Sequence, residues 1–418
     1  MKENKIHYAW VICAACCVVM AATMGIASNC SSLFIKPISE DLGVSRASVS
    51  TMLSVFSLGA MITSFFAGKI FNEDNIIKIM KIAIFVMAVS FFANSMVKNV
   101  YVFYLTGLVN GVMQVLLTVM PTTFILNNWF KEKVGFALGL ASMGSGLGGA
   151  MFNSLAGKWI EAFGWRATYR ILAAVMLILA VPCIFFVLKL RPSDMGLTAY
   201  DKVGKKEREK RSARPVAAAT DSEGLTFAEV KKMPFFYGLC ICAVCLGICM
   251  NGMYSTISPR LQDLGYSLTF SANFLSIGMF TMAFGKIMLG RIFDAFGVRV
   301  GFTVANVCLL RANIGLLITG STPIGFALVL MGLLFGVIYG AVVFPLSVPI
   351  IFGKKDYKAI IGPLSAMISL GGVIAPIFSA KVYDITGSYG PAYVINAVIM
   401  TLVTLYLFKN LSKNQKNA

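Results

Sequence analysis

The chain has 418 residues, of which 58% are hydrophobic and only 13% are charged, and its mean hydropathy is +0.80. A soluble globular domain has close to half apolar residues and about a quarter charged residues. The composition therefore excludes disordered, collagen-like and secreted disulfide-rich proteins, and it predicts a chain whose main solvent is lipid.

Twelve apolar segments are each long enough to cross a bilayer as a helix, which takes roughly 20 residues. In chain order, we number these predicted spans 1 to 12: 8–33, 47–69, 77–97, 100–127, 134–158, 168–190, 235–258, 268–290, 300–320, 323–350, 357–380 and 390–408. The fold class is therefore an all-α membrane protein with twelve transmembrane helices. The polar segment 191–234 divides it into an N-terminal six-helix bundle (1–190) and a C-terminal six-helix bundle (235–418).

The distribution of Lys and Arg predicts the orientation of these spans, because basic residues collect in cytoplasmic loops. With the N-terminus inside, twenty-six of the 36 Lys and Arg residues face the cytoplasm and eight face outward. We therefore expect a multi-pass protein of the plasma (inner) membrane with both termini cytoplasmic. The same asymmetry accounts for the net charge of +18 without a nucleic-acid partner.

The two halves carry an internal repeat. Segment 37–45 shares its Pro, Asp, Leu, Gly and Ser with segment 259–267, which lies 222 residues further on. At an offset of 223, Gly148 and Gly149 correspond to Gly371 and Gly372, and the same offset relates Glu161 to Asp384 and Lys158 to Lys381. Parallel repeats joined by a long loop are typical of transporters that bind substrate between their halves, near the bilayer midplane.

Several motifs are similar to those of a known family. They are GRIFDAFGVR at 290–299, NWFK at 128–131, the glycine-rich stretch 139–149, GWR at 164–166 and RPSDMG at 191–196. With these motifs the chain resembles the monocarboxylate and oxalate:formate branch of the major facilitator superfamily. In the counterpart of the first motif, between spans 2 and 3, Asn72 stands where an Asp is usual. The resemblance implies a transporter of a small organic anion that works by alternating access.

Lys286 in span 8 is the candidate anion-binding residue. All 18 acidic residues fall in loops or at span ends, whereas Lys286 and Arg311 lie deep in apolar spans, where a charge is costly and therefore informative. In the resembling branch, an Arg at the place of Lys286 binds the substrate carboxylate. A Lys keeps the charge but loses the planar two-pronged grip. The alternative is a lysine that snorkels to the cytoplasmic edge, and Arg311 is expected to be structural or lipid-facing.

Three departures from the branch bear on coupling. Met282 stands where the monocarboxylate transporters carry a proton-binding Asp, and Asn29 stands where they carry a Lys in span 1. Span 11 has no Lys or Arg from 359 to 380, whereas the oxalate:formate type has a second cation there. One cation suits one carboxylate better than two. Anion exchange, facilitated diffusion and symport with the proton on the substrate all remain open.

Polar residues on the inner spans are candidate substrate contacts, because an amide or hydroxyl in lipid needs a partner. They are Asn29, Asn110, Gln114, Asn251, Tyr254, Tyr339, Ser365 and Ser369. The repeat relates Asn29 to Asn251, and this pair is the leading candidate to touch substrate. The competing interpretation for each residue is a contact that only holds two helices together.

Four residues near the cytoplasmic ends of spans 2 and 8 are candidate gating residues: Gly68, Gly290, Asp294 and Arg299. The glycines allow close approach of helices, and the charges can tie helices together, with Asp294 a candidate partner for a basic residue across its loop. Thr226 and Glu229 have the spacing of a capping box, which predicts a short surface helix before span 7.

Other functions are weaker interpretations of the sequence. One is export of an amphiphilic or drug-like compound, and another is a membrane sensor that binds without transport. The spans hold no cluster of His, Asp and Glu and no nucleophile beside a base, so we expect no enzyme. No cofactor is expected, because the G-x-G-x-x-G pattern at 144–149 lies in a span rather than after a strand. Membrane lipid and the anion are the expected partners of a monomer.

Overall fold

The computed structural model describes residues 7–71, 75–131, 134–200, 224–353 and 355–414. In this part of the chain the regular structure is helical. The N-terminal half contains, in order, Tyr8–Ala27, a 3₁₀ turn at Ser31–Phe34, Ile35–Leu42, Arg46–Ile70, Ile76–Asn94, Val100–Leu117, Val119–Trp129, Val134–Pro182, a π turn at Cys183–Val187 and a 3₁₀ turn at Pro192–Met195.

The C-terminal half contains Phe227–Val230, Pro234–Asp263, Leu268–Ile318, Ile324–Phe335, a π turn at Tyr339–Val343, Phe344–Phe352, Tyr357–Thr386 and Gly390–Asn414. Two of the long helices each hold two spans. Val134–Pro182 is broken at Gly164 and Leu268–Ile318 at Gly297, where positive φ values of 78° and 81° suit a residue without a side chain.

These helices confirm the predicted fold class. Ten helical segments of the described residues are long and apolar enough to cross a membrane, and one of them, Phe136–Val187, comprises spans 5 and 6. Span 10 is shorter, because its helix ends at Phe335 and continues as the π turn and Phe344–Phe352. Large apolar side chains such as Phe186 and Ile178 are 78% and 69% exposed. An apolar surface of this kind matches a lipid surrounding.

Contacts between glycines repeat in the two halves. Gly25 of span 1 packs on the backbone of Gly148 in span 5, and Gly247 of span 7 packs on that of Gly371 in span 11. A Cβ atom added to Gly148 would lie 2.5 Å from the carbonyl oxygen of Ala21. Small residues let helix backbones approach this closely in lipid. The repeat seen in the sequence therefore corresponds to the same helix–helix packing in each half.

The two halves meet along two pairs of spans. Span 5 packs against span 8, and span 2 packs against span 11. We name each of the two ends of the bundle after a residue that it contains. The Asp263 end holds Asp263, Arg46 and Asp384. The Tyr8 end holds Tyr8, whose ring lies 5.5 Å from that of Trp129.

The segment before span 7 contains the predicted capping box. The Thr226 hydroxyl accepts from the Glu229 backbone N–H at 3.3 Å, and the Glu229 carboxylate accepts from the Thr226 N–H at 2.7 Å. That backbone hydrogen bond and a second one from the Thr226 hydroxyl lower the pKa of Glu229. The short helix Phe227–Val230 is thus confirmed, whereas residues 201–223 of the predicted linker lie outside the described residues.

Candidate functional site

Lys286 lies on the face of span 8 that meets span 5. Gly146 of span 5 faces Met279 and Ala283, and Lys286 follows Met279 by seven residues, which is two helical turns on the same face. Lys286 is half-buried, and no ion pair of Lys286 occurs among the described residues. A side chain in a helix leans back toward the helix N-terminus. The Cα–Cβ bond of Lys286 therefore points from the Tyr8 end toward the middle of the interface.

Arg46 closes the Asp263 end between the halves. Its guanidinium donates two hydrogen bonds of 2.6 Å to the carboxylate of Asp263, and its Cζ lies 4.0 Å from the centre of the Tyr383 ring. The side chains of Arg46 and Asp263 are only 10% and 16% exposed. Burial raises the pKa of the neighbouring Tyr389 to about 12, although Arg46 acts in the opposite direction. The Tyr389 phenol is therefore neutral where it accepts a hydrogen bond from Arg46. We call this cluster the Arg46 lock.

Two carboxylates cap helices across the same closed end. Asp384 of span 11 accepts from the backbone N–H groups of Arg46 and Ala47, at 3.2 and 3.1 Å, at the start of span 2. Glu161 of span 5 accepts from the backbone N–H of Thr269 at 2.7 Å, at the start of span 8. A carboxylate is stabilised at a helix N-terminus by free N–H groups and by the helix dipole. Each half thus caps a helix of the other.

The interface of spans 5 and 8 is closed at the Asp263 end and open at the Tyr8 end. Gly157 abuts Ala272, and the Ser154 and Ser276 hydroxyls are 2.9 Å apart. Gly139 lies on the same face as Gly146, but among the described atoms nothing approaches within 4 Å of the place of its missing Cβ. Hydrogen bonds and ion pairs between described residues of the two halves also lie at the Asp263 end or near the middle.

Asn29 and Asn251, the predicted substrate pair, occupy different surroundings. Asn29 is 8% exposed, and its amide donates to the carbonyl of Ser145 at 2.9 Å while packing against Gly149. Asn251 donates to Gly247 of its own helix at 2.8 Å and lines a cavity between the halves. Asn29 therefore joins spans 1 and 5, as the competing interpretation expects, whereas Asn251 borders open space.

Tyr254 links the halves directly, because its hydroxyl donates to the backbone carbonyl of Asn29 at 3.2 Å. Tyr339 instead lies within the C-terminal half, fully buried, with its hydroxyl 2.5 Å from the Oδ1 atom of Asn306 in span 9. Ser365 is exposed and Ser369 half-buried on span 11, with the Ser369 hydroxyl donating to the Ser365 carbonyl. Of these four residues, Tyr254 alone contacts the opposite half through a described hydrogen bond.

Asn110 and Gln114 are buried residues of span 4. They are 5% and 7% exposed, and the Oδ1 and Oε1 atoms of their amides have no hydrogen-bond partner among the described residues. Asn110 lines a cavity within that half, together with Asn94 and Ser31. The structure thus places Asn110 in one bundle rather than between the two.

The predicted gating residues lie toward the Tyr8 end. Gly290 has open space at its missing Cβ position among the described residues. Arg299 stacks on the Phe408 ring of span 12 at 3.6 Å, so it contacts its own half. Gly68 lies in the helix Arg46–Ile70 and Asp294 in Leu268–Ile318, but their surroundings, including the predicted pairing of Asp294, lie outside what the structure describes.

Sequence reasoning missed the Arg46 lock and the break in span 1. From the sequence, Arg46 counts only as one of the outer charges, although it directly follows the repeated Asp-Leu-Gly-x-Ser motif. The helix of span 1 stops at Ala27 and resumes at Ile35, with a 3₁₀ turn between them. Arg311, expected to be structural or lipid-facing, is exposed on span 9. Within the described ranges, no group of three His, Cys, Asp or Glu side chains could hold a metal ion.

Comparison with known proteins assigns the family. Residues 15–352 match the Major Facilitator Superfamily. The chain belongs to this superfamily.

Its relatives within the superfamily are distant. The chain is 26% identical to the uncharacterized transporter YcxA of Bacillus subtilis over 190 residues, which are 44% of this chain and 46% of YcxA. The match thus spans about half of the length of that relative. Monocarboxylate transporter 4 of Gallus gallus is 24% identical over 327 residues, which are 77% of this chain and 64% of that transporter. The predicted resemblance to monocarboxylate transporters is therefore confirmed at low identity.

A solved structure supports the same fold for this superfamily member. The nucleoside transporter NupG superposes with a TM-score of 0.70, covering 97% of this chain and 99% of that one, at 12% sequence identity. An identity this low supports the architecture and carries no information on the substrate.

Proposed function

We propose that this protein is a secondary transporter of a small organic monoanion, a monocarboxylate in the first place, and that Lys286 binds the carboxylate. The observation that carries the proposal is the position of Lys286: a half-buried cation on the span 5–span 8 interface, with no described acidic partner. An unpaired charge in an apolar span is costly and is kept where function needs it. The distant monocarboxylate transporter relatives support the same substrate class.

The arrangement of the two ends supports alternating access. The Asp263 end is tied by the Arg46 lock and two helix caps, while the Tyr8 end of spans 5 and 8 is open. The Lys and Arg bias puts the Tyr8 end in the cytoplasm. In this orientation the anion reaches Lys286 from the inside, and rocking of the halves exposes it to the outside.

The experiment is counterflow in proteoliposomes loaded in turn with formate, pyruvate, lactate, oxalate and longer monocarboxylates. Uptake of label is compared for the wild type, Lys286→Ala and Lys286→Arg. We expect uptake of one acid, lost in Lys286→Ala and largely retained in Lys286→Arg, because the positive charge carries the binding. Arg311→Ala is the matched control, since Arg311 is also a cation in a span but is exposed on span 9.

Two results would overturn the proposal. Undiminished uptake by Lys286→Ala would remove this lysine from the anion site. Flat traces for every acid would exclude monocarboxylates as the substrate class and leave export of an amphiphilic compound as the next hypothesis. Thermal unfolding of each purified variant in detergent shows whether a loss of uptake reflects loss of the fold.

A further inference from the structure

A polar cavity of about 90 Å³ lies between spans 1, 2, 7 and 11. Its polar side chains are Ser28, Ser31, Ser32, Ser57, Asn251, Tyr254 and Ser255. We call it the serine chamber. Among the residues that the structure describes, no cation and no acid lines it. A volume of this size holds several water molecules or a group of several non-hydrogen atoms.

The serine chamber lies beneath the Arg46 lock. On span 2, Arg46 precedes the chamber residue Leu53 by seven positions, and on span 7, Asp263 follows Ser255 by eight. Each is about two helical turns, or roughly 11 Å along the helix. The chamber therefore lies on the membrane side of the lock, between spans that also carry lock residues.

The chamber offers mainly hydrogen-bond acceptors. The hydroxyls of Ser31, Ser57 and Ser255 donate to the backbone carbonyls of Ser28, Leu53 and Gly252, at 2.7, 3.0 and 3.1 Å. The hydroxyl of Tyr254 donates to Asn29 in the same way. A hydroxyl has one proton and two acceptor lone pairs. Because the proton of each of these hydroxyls is already donated to a backbone carbonyl, only the lone pairs are available to a ligand. A ligand group that supplies donors suits such a lining, whereas a carboxylate does not.

The break in span 1 supports a ligand role for this chamber. The α-helix ends at Ala27, and the 3₁₀ turn Ser31–Phe34 carries two of the chamber serines. Non-helical backbone at membrane depth is tolerated where it lines a cavity or is buried in protein, and broken helices mark binding sites in transporters. Ser32 is 1% exposed, and its buried hydroxyl has no hydrogen-bond partner among the described residues, so its proton, unlike those of Ser31, Ser57 and Ser255, is not donated to a described acceptor.

Asn29 connects the lining of the chamber to the surroundings of Lys286. Asn29, next to the chamber residue Ser28, bonds to the carbonyl of Ser145 in span 5. The following residue, Gly146, faces Met279 and Ala283 of span 8, which lie two helical turns and one helical turn before Lys286. A ligand that joins the two places has its carboxylate at Lys286 and its remote end at the chamber.

Resting on the proposed function, we infer that the serine chamber accepts hydrogen bonds from hydroxyl groups at the far end of the substrate. The substrate class is then a small polyhydroxy monocarboxylate, with hydroxyls beyond the carbon next to the carboxylate, rather than an alkyl acid. Each hydrogen bond accepted from the ligand is expected to raise affinity by about two- to tenfold.

The test compares acids of equal chain length. Counterflow is measured with 2,3,4-trihydroxybutyrate and with butyrate, for the wild type, Ser57→Ala and Ser64→Ala. Ser64 is the matched control because it lies on the same helix and also donates to the carbonyl four residues earlier, but it is exposed and outside the chamber. We expect the wild type and Ser64→Ala to prefer the hydroxylated acid, and Ser57→Ala to lose about two- to tenfold of that preference, measured as the ratio of the two uptake rates. Equal uptake of both acids by the wild type would overturn the inference.

A second measurement separates the chamber from the proposed anion site. The uncharged polyol threitol is tested for its effect on the thermal unfolding temperature in detergent, in the same three proteins and in Lys286→Ala. Because polyols also stabilise proteins by exclusion from their surface, only the difference between variants counts. We expect a larger upward shift in the wild type, Ser64→Ala and Lys286→Ala than in Ser57→Ala. Equal shifts in all four proteins would contradict the inferred binding of hydroxyl groups in the chamber. A Ser57-dependent shift without transport of any acid would overturn the anion proposal alone.

Discussion

Arg46 and Asp263 form a two-pronged ion pair between the halves, with both N–H···O distances at 2.6 Å. The repeat gives this pair a counterpart within the N-terminal half. Asp41 corresponds to Asp263, and it pairs with Arg166 of its own half. The position equivalent to Arg166 is Tyr389, which brings no charge. Asp263 therefore has no cation at the equivalent place in its own half, and it binds Arg46 from the other half instead.

The first prediction concerns this asymmetry. Replacement Asp263→Asn leaves the Arg46 guanidinium without its carboxylate at a site where both side chains are mostly buried. Loss of one partner of such a pair costs about 2–5 kcal/mol. We expect the Asp263 end to open, seen as longer distances between spin labels at the exposed positions Phe163 and Ile385, which flank the lock in opposite halves.

The matched control is Asp41→Asn. It breaks the equivalent ion pair between Asp41 and Arg166, which lies within one half. The side chains of Arg166 and Asp41 are 36% and 44% exposed. An exposed ion pair contributes at most about 1 kcal/mol, and this one does not connect the halves. The label distances should therefore stay as in the wild type. If Asp41→Asn opened the Asp263 end as far as Asp263→Asn, the lock would not be the determining contact.

The second prediction concerns the two helix caps. Asp384 accepts from the backbone of Arg46 itself, whereas Glu161 caps a different helix and shares no described partner with Asp263. Each cap is expected to contribute about 0.5–2 kcal/mol to closure. In double-mutant cycles on the open fraction seen in the same label distances, Asp384→Ala should couple with Asp263→Asn. Glu161→Ala should add to it within about 0.5 kcal/mol. The reverse pattern would contradict the assigned partners.

The sequence carried the fold and its repeat because both depend on local composition and spacing. Long apolar segments indicate the membrane spans. The glycines at 148 and 371 recur because helix backbones touch at these positions in each half. The Glu161–Asp384 correspondence was also visible, and both carboxylates turned out to be caps. Pairwise contacts between distant segments were not predictable. The choice of Arg46 and Lys36, among eight outer cations, as the partners of Asp263 depends on how the halves dock.

The break in span 1 was missed for a different reason. Residues 28–34 contain no proline or glycine, the usual signals of a helix end. Serines compete for backbone hydrogen bonds, and three of them occur here, but they also occur in continuous membrane helices. What distinguishes this segment is the cavity beside it, which forms only when spans 2, 7 and 11 are in place.

The third prediction separates glycines that pack from glycines that do not. Gly148→Ala would place a methyl group against the Ala21 backbone, where overpacking costs about 1–3 kcal/mol. Gly139→Ala, on the same helix, meets open space among the described residues. We expect a lower thermal unfolding temperature in detergent for Gly148→Ala and almost no change for Gly139→Ala. Equal loss in both variants would contradict the packing described for spans 1 and 5.

The last prediction concerns Gly139 and Gly290 as a pair. Spans 5 and 8 run antiparallel, with Gly157 against Ala272 and Gly146 facing Ala283. If this register continued for another seven residues in each helix, Gly139 would lie opposite Gly290. Both glycines instead face open space among the described residues. The two helices have therefore separated at the Tyr8 end, and closing that end requires these glycines to approach each other.

Gly290→Phe should block that closure while leaving the present conformation intact. We expect near wild-type thermal stability and loss of counterflow, because the ring would hold spans 5 and 8 apart. Met288→Phe is the control, since Met288 lies on the same helix, is 49% exposed and tolerates a large apolar side chain on the lipid-facing surface. Full-rate counterflow by Gly290→Phe would show that the Tyr8 end closes without contact at this position, and the glycine would then lose its gating role.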